Sequence, residues 1–400
     1  MGLSEFNQQL STELDAIRQK NLLRFLRRID SPQGPKIEMN GRSLLNFSSN
    51  DYLGLANHPH LVEASLKAIR DYGCGSGAAR LVSGSLKVHH DLEEAIASFK
   101  QMPAALSFST GYAAALGTIG AICDKDDIIV IDKLVHASVV DAARLCGAKL
   151  RIFKHNDLND LEDILKWSLA ARNNEGKSSR VLVVTESVFS MDGDFAPLRE
   201  IVELKDKYGA VLMVDEAHAT GIYGTLGRGC IDQHGVRERV EIQMGTLGKA
   251  LGASGGFICG SRELIDLLIN HARSFVFSTA SVPAASAAAI AALQWVQTEE
   301  GEKGRSRLFE NIHQFNELVK RETGNEASVR NCPILPVIIG DEARAIVVAE
   351  RLLNWGYLVP AIRYPTVARG KARLRVTMSA AHSTEQVVDF SLEIRRALRG

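Results

Sequence analysis

Short runs of apolar and β-branched residues alternate with helical stretches from about residue 50 onwards, and this alternation limits the possible folds more than any other feature. The runs that we interpret as strands are 128–131, 151–153, 181–184, 211–214 and 256–259. Continuously apolar strands that alternate with helices are typical of a parallel sheet whose two faces are both covered. The sequence therefore predicts an α/β fold with a large, mostly parallel sheet.

Three segments are predicted along the chain. Residues 1–48 are expected to form a leading helix and an arm, and residues 49–283 carry the alternating α/β pattern. The leading helix is inferred from apolar residues at near-helical spacing, namely Leu10, Leu14, Ile17, Leu22, Phe25 and Leu26. Residues 284–400 begin with an Ala-rich helix and are predicted to form a smaller α+β domain, with strands at 334–339, 357–361 and 372–378.

Charge and hydropathy argue against several classes of partner. Lys and Arg number 47, as do Asp and Glu, so no net charge attracts nucleic acid or an anionic membrane. The first 28 residues lack a continuous apolar core, and the small-apolar run 282–296 is too short to span a bilayer. Six scattered cysteines without a Cys-x-x-Cys pair are typical of reduced thiols. We expect a cytoplasmic protein without a metal site.

Polar residues follow two of the predicted strands and one further short apolar run. Asp215 and His218 come after the strand 211–214, Ser187 comes after 181–184, and Lys249 follows the short run 242–244. Ligands of open parallel sheets bind beyond the carboxyl ends of the strands. We therefore expect these side chains to converge at one edge of the sheet.

Lys249 lies in a loop that is unusually rich in glycine. Such a loop is costly in entropy unless something approaches its backbone closely, and a lysine amine can form a Schiff base with a carbonyl. A carboxylate such as Asp215 can keep a pyridine nitrogen protonated. From the residues alone, a surface lysine in a turn, a helix-capping Asp215 and a core His218 are equally consistent with the pattern.

Two nucleotide-binding alternatives fit less well. Asp215-Glu-Ala-His218 also matches the acidic box of a helicase, but the lysine loop follows that box, and Ala250 stands where a P-loop needs Ser or Thr. The glycine-rich segments 73–77 and 221–229 do not spell Gly-x-Gly-x-x-Gly after a strand, so a dinucleotide site is only weakly indicated.

Six separated motifs together resemble the α-oxoamine synthase family. They are Asn46-Phe-Ser-Ser-Asn-Asp-Tyr-Leu-Gly-Leu55, Gly75-Ser-Gly-Ala-Ala-Arg80, Ser83-Gly84, Val184-Thr-Glu-Ser-Val-Phe-Ser-Met-Asp-Gly193, Asp215-Glu-Ala-His-Ala-Thr-Gly221 and Gly245-Thr-Leu-Gly-Lys249. The family consists of pyridoxal 5'-phosphate (PLP) enzymes of the aspartate-aminotransferase fold (fold type I), which condense an amino acid with an acyl thioester. The resemblance covers nearly the whole chain and implies a PLP-dependent acyltransferase.

The resemblance assigns the cofactor phosphate to Gly111 and Tyr112 at a helix start and to Thr246 beside the lysine. It implies that Ser278 and Thr279 reach the phosphate of the neighbouring subunit's cofactor. It therefore implies a homodimer with the active site at the subunit interface.

The cofactor ring is assigned to a second set of residues. The resemblance implies that His136 stacks on the ring, Asp215 binds the ring nitrogen, and Ser187 and His218 bind the phenolic oxygen. Lys249 would carry the cofactor and act as the base. Lys249, His136 and Asp215 are thus the predicted catalytic residues.

Substrate binding is assigned to residues from distant parts of the chain. Asn50 and Arg363 would contact the amino-acid carboxylate, with His136 orienting it. Arg24 would lie near the entrance for the acyl substrate and Thr366 near the substrate. A solvated helix face is an equally good interpretation of Arg24.

The segment 361–367, Ala-Ile-Arg-Tyr-Pro-Thr-Val, distinguishes among family members. It resembles the members that join L-alanine to a pimeloyl thioester in biotin synthesis, with either coenzyme A or acyl carrier protein as the carrier. Members that use glycine to make 2-amino-3-oxobutyrate share almost every motif and are the alternative. Tyr364, where the family usually has proline, is a departure beside Arg363.

Overall fold

The structure is a computed structural model that describes residues 2–175, 179–323 and 331–399. The chain divides into two compact units. The first unit comprises Met1–Ser49, Met191–Gly193 and Leu308–Gly400, and the second comprises Asn50–Ser190 and Asp194–Arg307. The domain boundaries expected from the sequence, after residues 48 and 283, stay a prediction.

The regular elements are numbered in chain order. The strands are β1 (Lys36–Met39), β2 (Arg42–Asn46), β3 (Ala104–Phe108), β4 (Ile128–Asp132), β5 (Lys149–Phe153), β6 (Val181–Glu186), β7 (Val211–Asp215), β8 (Ile242–Thr246), β9 (Gly256–Gly260), β10 (Ile334–Gly340), β11 (Tyr357–Leu358), β12 (Ala361–Ile362) and β13 (Ala372–Thr377). The α-helices are α1 (Leu3–Gln19), α2 (Pro59–Tyr72), α3 (Lys87–Lys100), α4 (Gly111–Ile122), α5 (Ala137–Leu145), α6 (Leu158–Glu175), α7 (Leu198–Lys207), α8 (Cys230–His234), α9 (Arg262–His271), α10 (Arg273–Val276), α11 (Pro283–Val296), α12 (Glu299–Thr323), α13 (Glu342–Asn354) and α14 (Thr384–Arg399).

The second unit is built on a seven-stranded sheet with the order β3-β9-β8-β7-β6-β4-β5. Strand β9 runs antiparallel to both of its neighbours, and all other neighbouring pairs are parallel. Every residue of β4, β6 and β9 is buried, as expected for strands covered on both faces. The prediction of an α/β fold with a mostly parallel sheet is confirmed. Strand β3 was missed because its Ala-Ala-Leu-Ser-Phe sequence has little β-branched character.

Helices α4, α5 and α9 supply side chains to the core that covers this sheet. The core packs small side chains of α4, such as Ala115 and Ile119, against strand residues such as Ile131 and Met213. These residues are at most 1% exposed. Small residues on α4 allow it to lie close to the strands, which places the start of the helix at the sheet edge.

The first unit contains two three-stranded sheets, with the orders β1-β2-β11 and β10-β13-β12. The sequence predicted one strand at 357–361, but the structure has two short strands there, β11 and β12, which belong to different sheets. Strand β11 pairs in parallel with β2, whereas β12 pairs antiparallel with β13. Pro360 lies between them, and its lack of an N–H group interrupts a ladder of hydrogen bonds.

The leading helix ends earlier than the apolar spacing predicted. Helix α1 stops at Gln19, and Asn21 has a φ of 56°, so Leu22, Phe25 and Leu26 lie outside the helix. No residue of α1 is buried within the chain, so tertiary packing does not extend it.

All six cysteines lie in the described part of the chain and are free thiols there. No helix among the described residues combines the length and the apolar character needed to span a membrane.

Candidate active site

The carboxyl ends of β6, β7 and β8 bring a group of polar residues together in the second unit. Parallel pairing sets Glu186 opposite Asp215 and Asp215 opposite Met244. Asp215 Oδ1 accepts a hydrogen bond of 2.8 Å from Ala217 N–H, which turns the chain so that His218 follows on the same edge. The convergence expected for Asp215, His218, Ser187 and Lys249 is therefore present in the geometry, while their roles stay predictions.

Lys249 lies in the loop that joins the antiparallel strands β8 and β9. The loop closes on itself, since Ala253 N–H donates to Leu247 O at 2.9 Å and Gly252 N–H donates to Lys249 O at 2.8 Å. Leu247 and Leu251 are buried at 1% and 0% exposure and hold the loop against the core. The half-buried Lys249 side chain extends from an anchored backbone, not from a flexible surface turn.

A glycine of this loop allows a neighbouring segment of the chain to pack closely against the loop backbone. Gly252 has a φ of +62°, and a Cβ there would lie 2.4 Å from the backbone carbon of Leu55. Any larger residue would push the loop away from the segment that carries Asn50 and Tyr52. The neighbour that this glycine accommodates is thus the chain between Asn50 and Ala56.

A chain of hydrogen bonds runs from Lys249 into the interior of the unit. Lys249 Nζ lies 2.8 Å from His218 Nε2, and His218 Nδ1 lies 2.8 Å from the hydroxyl of Tyr52. The Tyr52 hydroxyl in turn donates to Asn50 Oδ1 at 3.1 Å. Tyr52 is fully buried and His218 is 5% exposed, so the hydrogen bonds between these two side chains are shielded from bulk water.

Asp215 and Glu186 form a pair of buried carboxyl groups beside Lys249. Burial raises the pKa of Asp215, while the positive charge of Lys249 and the hydrogen bond from Ala217 oppose that rise. Burial, reinforced by Asp215, raises the pKa of Glu186 to about 8. Ser187 donates its hydroxyl to Asp215 O at 3.3 Å, and its own N–H donates to the same oxygen at 2.9 Å.

The start of α4 offers a site for an anion. Thr110 caps this helix by accepting a hydrogen bond from Ala113 N–H at 3.0 Å. A Cβ on Gly111 would lie 2.5 Å from Thr246 Cγ2, so the helix start and the end of β8 are in close contact. The Thr246 hydroxyl is buried and has no hydrogen-bond partner among the described residues. Helix N-termini attract anions, and an unpartnered hydroxyl beside one suits a phosphate oxygen.

The residues at this edge of the sheet fit PLP. A lysine amine, a buried carboxylate and an anion site at a helix start meet the requirements of an aldehyde, a pyridine nitrogen and a phosphate, respectively. Tyr112, also predicted at the phosphate, is exposed and donates its hydroxyl to Asp141 Oδ2 at 2.7 Å.

Three further predicted residues belong to the second unit. Of these, His136 adjoins the carboxyl pair: its backbone N–H donates to the Glu186 carboxyl group, and its ring interacts electrostatically with Asp215 and Lys249. His136 is exposed and caps α5, where its Nδ1 accepts from Ser138 N–H at 3.3 Å. This bond leaves Nε2 to carry the hydrogen of the neutral ring. Ser278 is half-buried and Thr279 is exposed, and Thr279 forms an isolated β-bridge with Ala79.

The remaining predicted substrate residues belong to the first unit, where they lie close together. Arg24 donates to the Thr366 hydroxyl at 3.1 Å, and Arg363 donates to the backbone oxygen of Asn21. Partial burial lowers the pKa of Arg363, and the positive charges of Arg24 and Arg27 add to this. Within the first unit these residues form a cationic cluster, which suits an anionic ligand.

Two features of the site were not predicted from sequence. Tyr52 lies in the first of the six motifs, but the resemblance implies no role for it, although it contacts His218 directly. Lys100 forms a buried ion pair with Glu216, the residue after Asp215, and also donates to Arg228 O at 2.5 Å. Both contacts join residues more than 100 positions apart in the sequence. The only sequence signal for these contacts is the polar character of the residues, which are buried in the structure.

Comparison with known proteins gives one family and a consistent group of relatives. The model of the family "aminotransferase class I and II" matches residues 42–390. The 8-amino-7-oxononanoate synthase of Symbiobacterium thermophilum is 41% identical over 97% of this chain and 96% of its own length. The enzyme of the same name from Anaeromyxobacter dehalogenans is 47% identical over 95% of this chain and 93% of its own.

Solved structures of similar proteins cover the chain as well. A serine palmitoyltransferase from S. paucimobilis, solved with bound PLP-myriocin aldimine, is 27% identical and superposes with a TM-score of 0.90 over 100% of this chain and 99% of its own. The 8-amino-7-oxononanoate synthase from Francisella tularensis is 30% identical, with a TM-score of 0.73 over 89% of this chain and 97% of its own.

Proposed function

The chain belongs to the class I and II aminotransferase family, and on that premise we propose that it makes 8-amino-7-oxononanoate from L-alanine and a pimeloyl thioester. Its fold is that of the fold type I PLP-dependent transferases, and its cofactor is PLP. The reaction is a decarboxylative condensation that releases carbon dioxide and the thiol carrier. The observation that carries the proposal is the placement of Lys249 beside His218 and Asp215 in a chain 41% identical to such synthases over nearly its full length.

Bound PLP supplies a ring that takes up the electron pair of a carbanion. Lys249 holds it through Nζ, and Asp215 keeps the ring nitrogen protonated from a buried position where its charge is poorly solvated. Gly111, Tyr112 and Thr246 are the proposed phosphate contacts.

Side chains of this chain then bind the substrate and move its proton. With L-alanine bound, Lys249 Nζ would be the base that removes the α-proton. His136 orients the carboxylate group of the substrate, and Asn50 and Arg363 are the proposed carboxylate contacts. The burial of Tyr52 and His218 keeps water from the back of the site.

We propose a homodimer with a cytoplasmic location. Ser278 and Thr279 are the proposed contacts to the phosphate of the partner's site, and large apolar side chains flank them. Phe277 is 71% exposed, and Val82, close to Ala79 of the Thr279 bridge, is 80% exposed. Exposed apolar side chains of this size favour burial against a second subunit. A monomer in analytical ultracentrifugation at micromolar concentration would contradict this part of the proposal.

The activity is tested by absorbance followed by product analysis. The protein is saturated with PLP and titrated with L-alanine, glycine and L-serine while the visible absorbance of the lysine-bound cofactor is recorded. Lys249→Ala is expected to lose that absorbance and turnover, whereas Lys303→Ala, a surface change on α12, keeps both.

The products then decide the substrate. Incubation of the preferred amino acid with pimeloyl-CoA or pimeloyl-acyl carrier protein is expected to yield 8-amino-7-oxononanoate by mass spectrometry. Tightest binding of glycine with formation of 2-amino-3-oxobutyrate from acetyl-CoA would replace the proposed substrates, as would preference for L-serine with a long-chain thioester. Failure to bind PLP would remove the proposal altogether.

A further inference from the structure

Glu186 stands beside Asp215 at the carboxyl edge of the large sheet. Parallel pairing of β6 with β7 sets the two residues opposite each other, so their side chains point to the same face. Glu186 is 2% exposed and Asp215 is 5% exposed. Two carboxyl groups held side by side away from water do not both ionise readily, because the first negative charge repels the second. One of the pair therefore retains a proton near neutral pH.

The charges around the pair favour ionisation of Asp215. Burial raises the pKa of Asp215, but Lys249, the hydrogen bond from Ala217 N–H and a protonated His136 oppose the rise. For Glu186, burial and the negative charge of Asp215 raise the pKa to about 8, and Lys249 opposes them only in part. These charged groups reach the pair from the loop before α5, from β7 and from the loop between β8 and β9. The retained proton is therefore expected on Glu186.

The Glu186 carboxyl group also joins two backbone segments of the site. Its Oε2 accepts a hydrogen bond of 3.1 Å from Ser190 N–H, and the carboxyl group accepts another from His136 N–H. His136 follows β4, whereas Ser190 lies in the loop after β6. Glu186 Oε1 is buried without a hydrogen-bond partner among the described residues. An oxygen in such a place costs less as part of a neutral acid than as part of an anion.

We propose that Glu186 is a positioning residue that keeps its proton: as a neutral acid it holds the backbone of His136 and Ser190 and leaves Asp215 as the only negative charge of the pair. This role rests on the proposed function only through His136 and Asp215. A carboxylate at Glu186 would repel Asp215 and favour its protonation, and a protonated Asp215 does not keep a pyridine nitrogen protonated. Movement of the His136 backbone would shift the imidazole that orients the carboxylate group of the substrate.

The proton on Glu186 is measured by infrared spectroscopy of the full-length protein without PLP. The glutamate residues are labelled with ¹³C at the δ-carbon, which separates their carboxyl bands from those of aspartate, and the spectrum of Glu186→Gln is subtracted from that of the wild type. We expect the labelled C=O stretch of a carboxylic acid at pH 6, and its loss as the pH rises through about 8. Labelled carboxylate bands alone at pH 6 would overturn the proposal.

Two substitutions separate the acceptor oxygen from the charge. Glu186→Gln keeps an oxygen that accepts from the backbone N–H groups, whereas Glu186→Met has a side chain of similar length without a strong acceptor. The readout is hydrogen exchange of the His136 amide in protein labelled with ¹⁵N-histidine, again without PLP. We expect exchange about tenfold faster in Glu186→Met than in Glu186→Gln, the effect of one hydrogen bond. Equal rates in the two variants would refute the positioning of His136 by the acceptor oxygen.

The matched control is Glu241→Met at the opposite edge of the sheet. Glu241 accepts a hydrogen bond of 2.9 Å from Leu212 N–H near the start of β7, and Lys205 keeps Asp206 as a partner at 2.7 Å in this variant. Exchange of the His136 amide should change there by less than about twofold. If Glu186→Met does not fold, the infrared measurement still decides, since it needs only the wild type and Glu186→Gln.

The consequence for the reaction is measured separately in the PLP-loaded enzyme. The enzyme is incubated with L-alanine in D₂O without thioester, and deuterium at the α-carbon is followed by NMR. Exchange is expected to be about tenfold faster in Glu186→Gln than in Glu186→Met, because only the amide side chain holds His136. Equal rates would refute the link between Glu186 and the reaction. Absence of exchange in the wild type would contradict the proposed substrate but leave the infrared and amide measurements intact.

Discussion

His155 bridges two carboxylates in the second unit, and its charge should make the stability of the fold depend on pH. Its Nδ1 lies 3.0 Å from Asp132 Oδ1 and its Nε2 lies 2.8 Å from Asp194 Oδ2. Burial alone would lower the pKa of His155, but the hydrogen bonds to Asp132 and Asp194 outweigh it and raise the pKa from 6.5 to about 10.

The sign of the effect follows from proton linkage. Because the folded state binds the proton more tightly, the stabilisation is fully present below pH 6.5, the ordinary value, and is lost as pH rises through about 10. The difference between those pKa values corresponds to about 5 kcal/mol of unfolding free energy. The His155 side chain is 23% exposed, so solvent screens only part of this interaction.

We expect His155→Gln to remove the pH-dependent part of this stabilisation. The difference in unfolding free energy between wild type and variant should be larger at pH 6 than at pH 10.5 by about 4 kcal/mol. The measurement is urea unfolding followed by tryptophan fluorescence at several pH values, with His60→Gln, an exposed residue of α2, as the control. A difference between wild type and His155→Gln that does not change with pH would show that His155 is neutral in the fold and refute the reasoning.

Three further predictions concern the site. Lys100→Met leaves Glu216 as a buried charge without its cation and should cost about 3–5 kcal/mol in urea unfolding, while adding Glu216→Gln should restore most of it; equal losses in the single and double variants would exclude this cause. Asp215→Asn should keep PLP bound, as judged by absorbance, but lower turnover by about a thousandfold or more, because an amide does not keep the ring nitrogen protonated; wild-type turnover would remove Asp215 from its role. Thr246→Val should weaken PLP affinity by about 10- to 100-fold through the loss of one hydrogen bond to a charged group, measured by equilibrium dialysis; an unchanged affinity would place the phosphate elsewhere.

Much of the large sheet could be predicted from sequence. Strands buried on both faces must be apolar throughout, so β4, β6 and β7 are visible as continuous apolar runs. Polar residues such as Asp215 and Lys249 stand out because they directly follow such runs. The elements that were missed or misjudged have weaker local signals: β3 is rich in alanine, and α1 ends at Gln19 although apolar residues continue beyond it.

The contacts of the site depended on tertiary structure. Strand pairing brings Glu186 next to Asp215, and burial of both raises the pKa of each carboxyl group. Tyr52 reaches His218 across 166 positions of sequence, and no local pattern encodes a distance between two side chains so far apart. The sequence by itself therefore determined which residue types stand at the sheet edge, since apolar periodicity is local. Only the packed structure decided which of them share a proton, because that depends on separations of about 3 Å, within hydrogen-bonding distance.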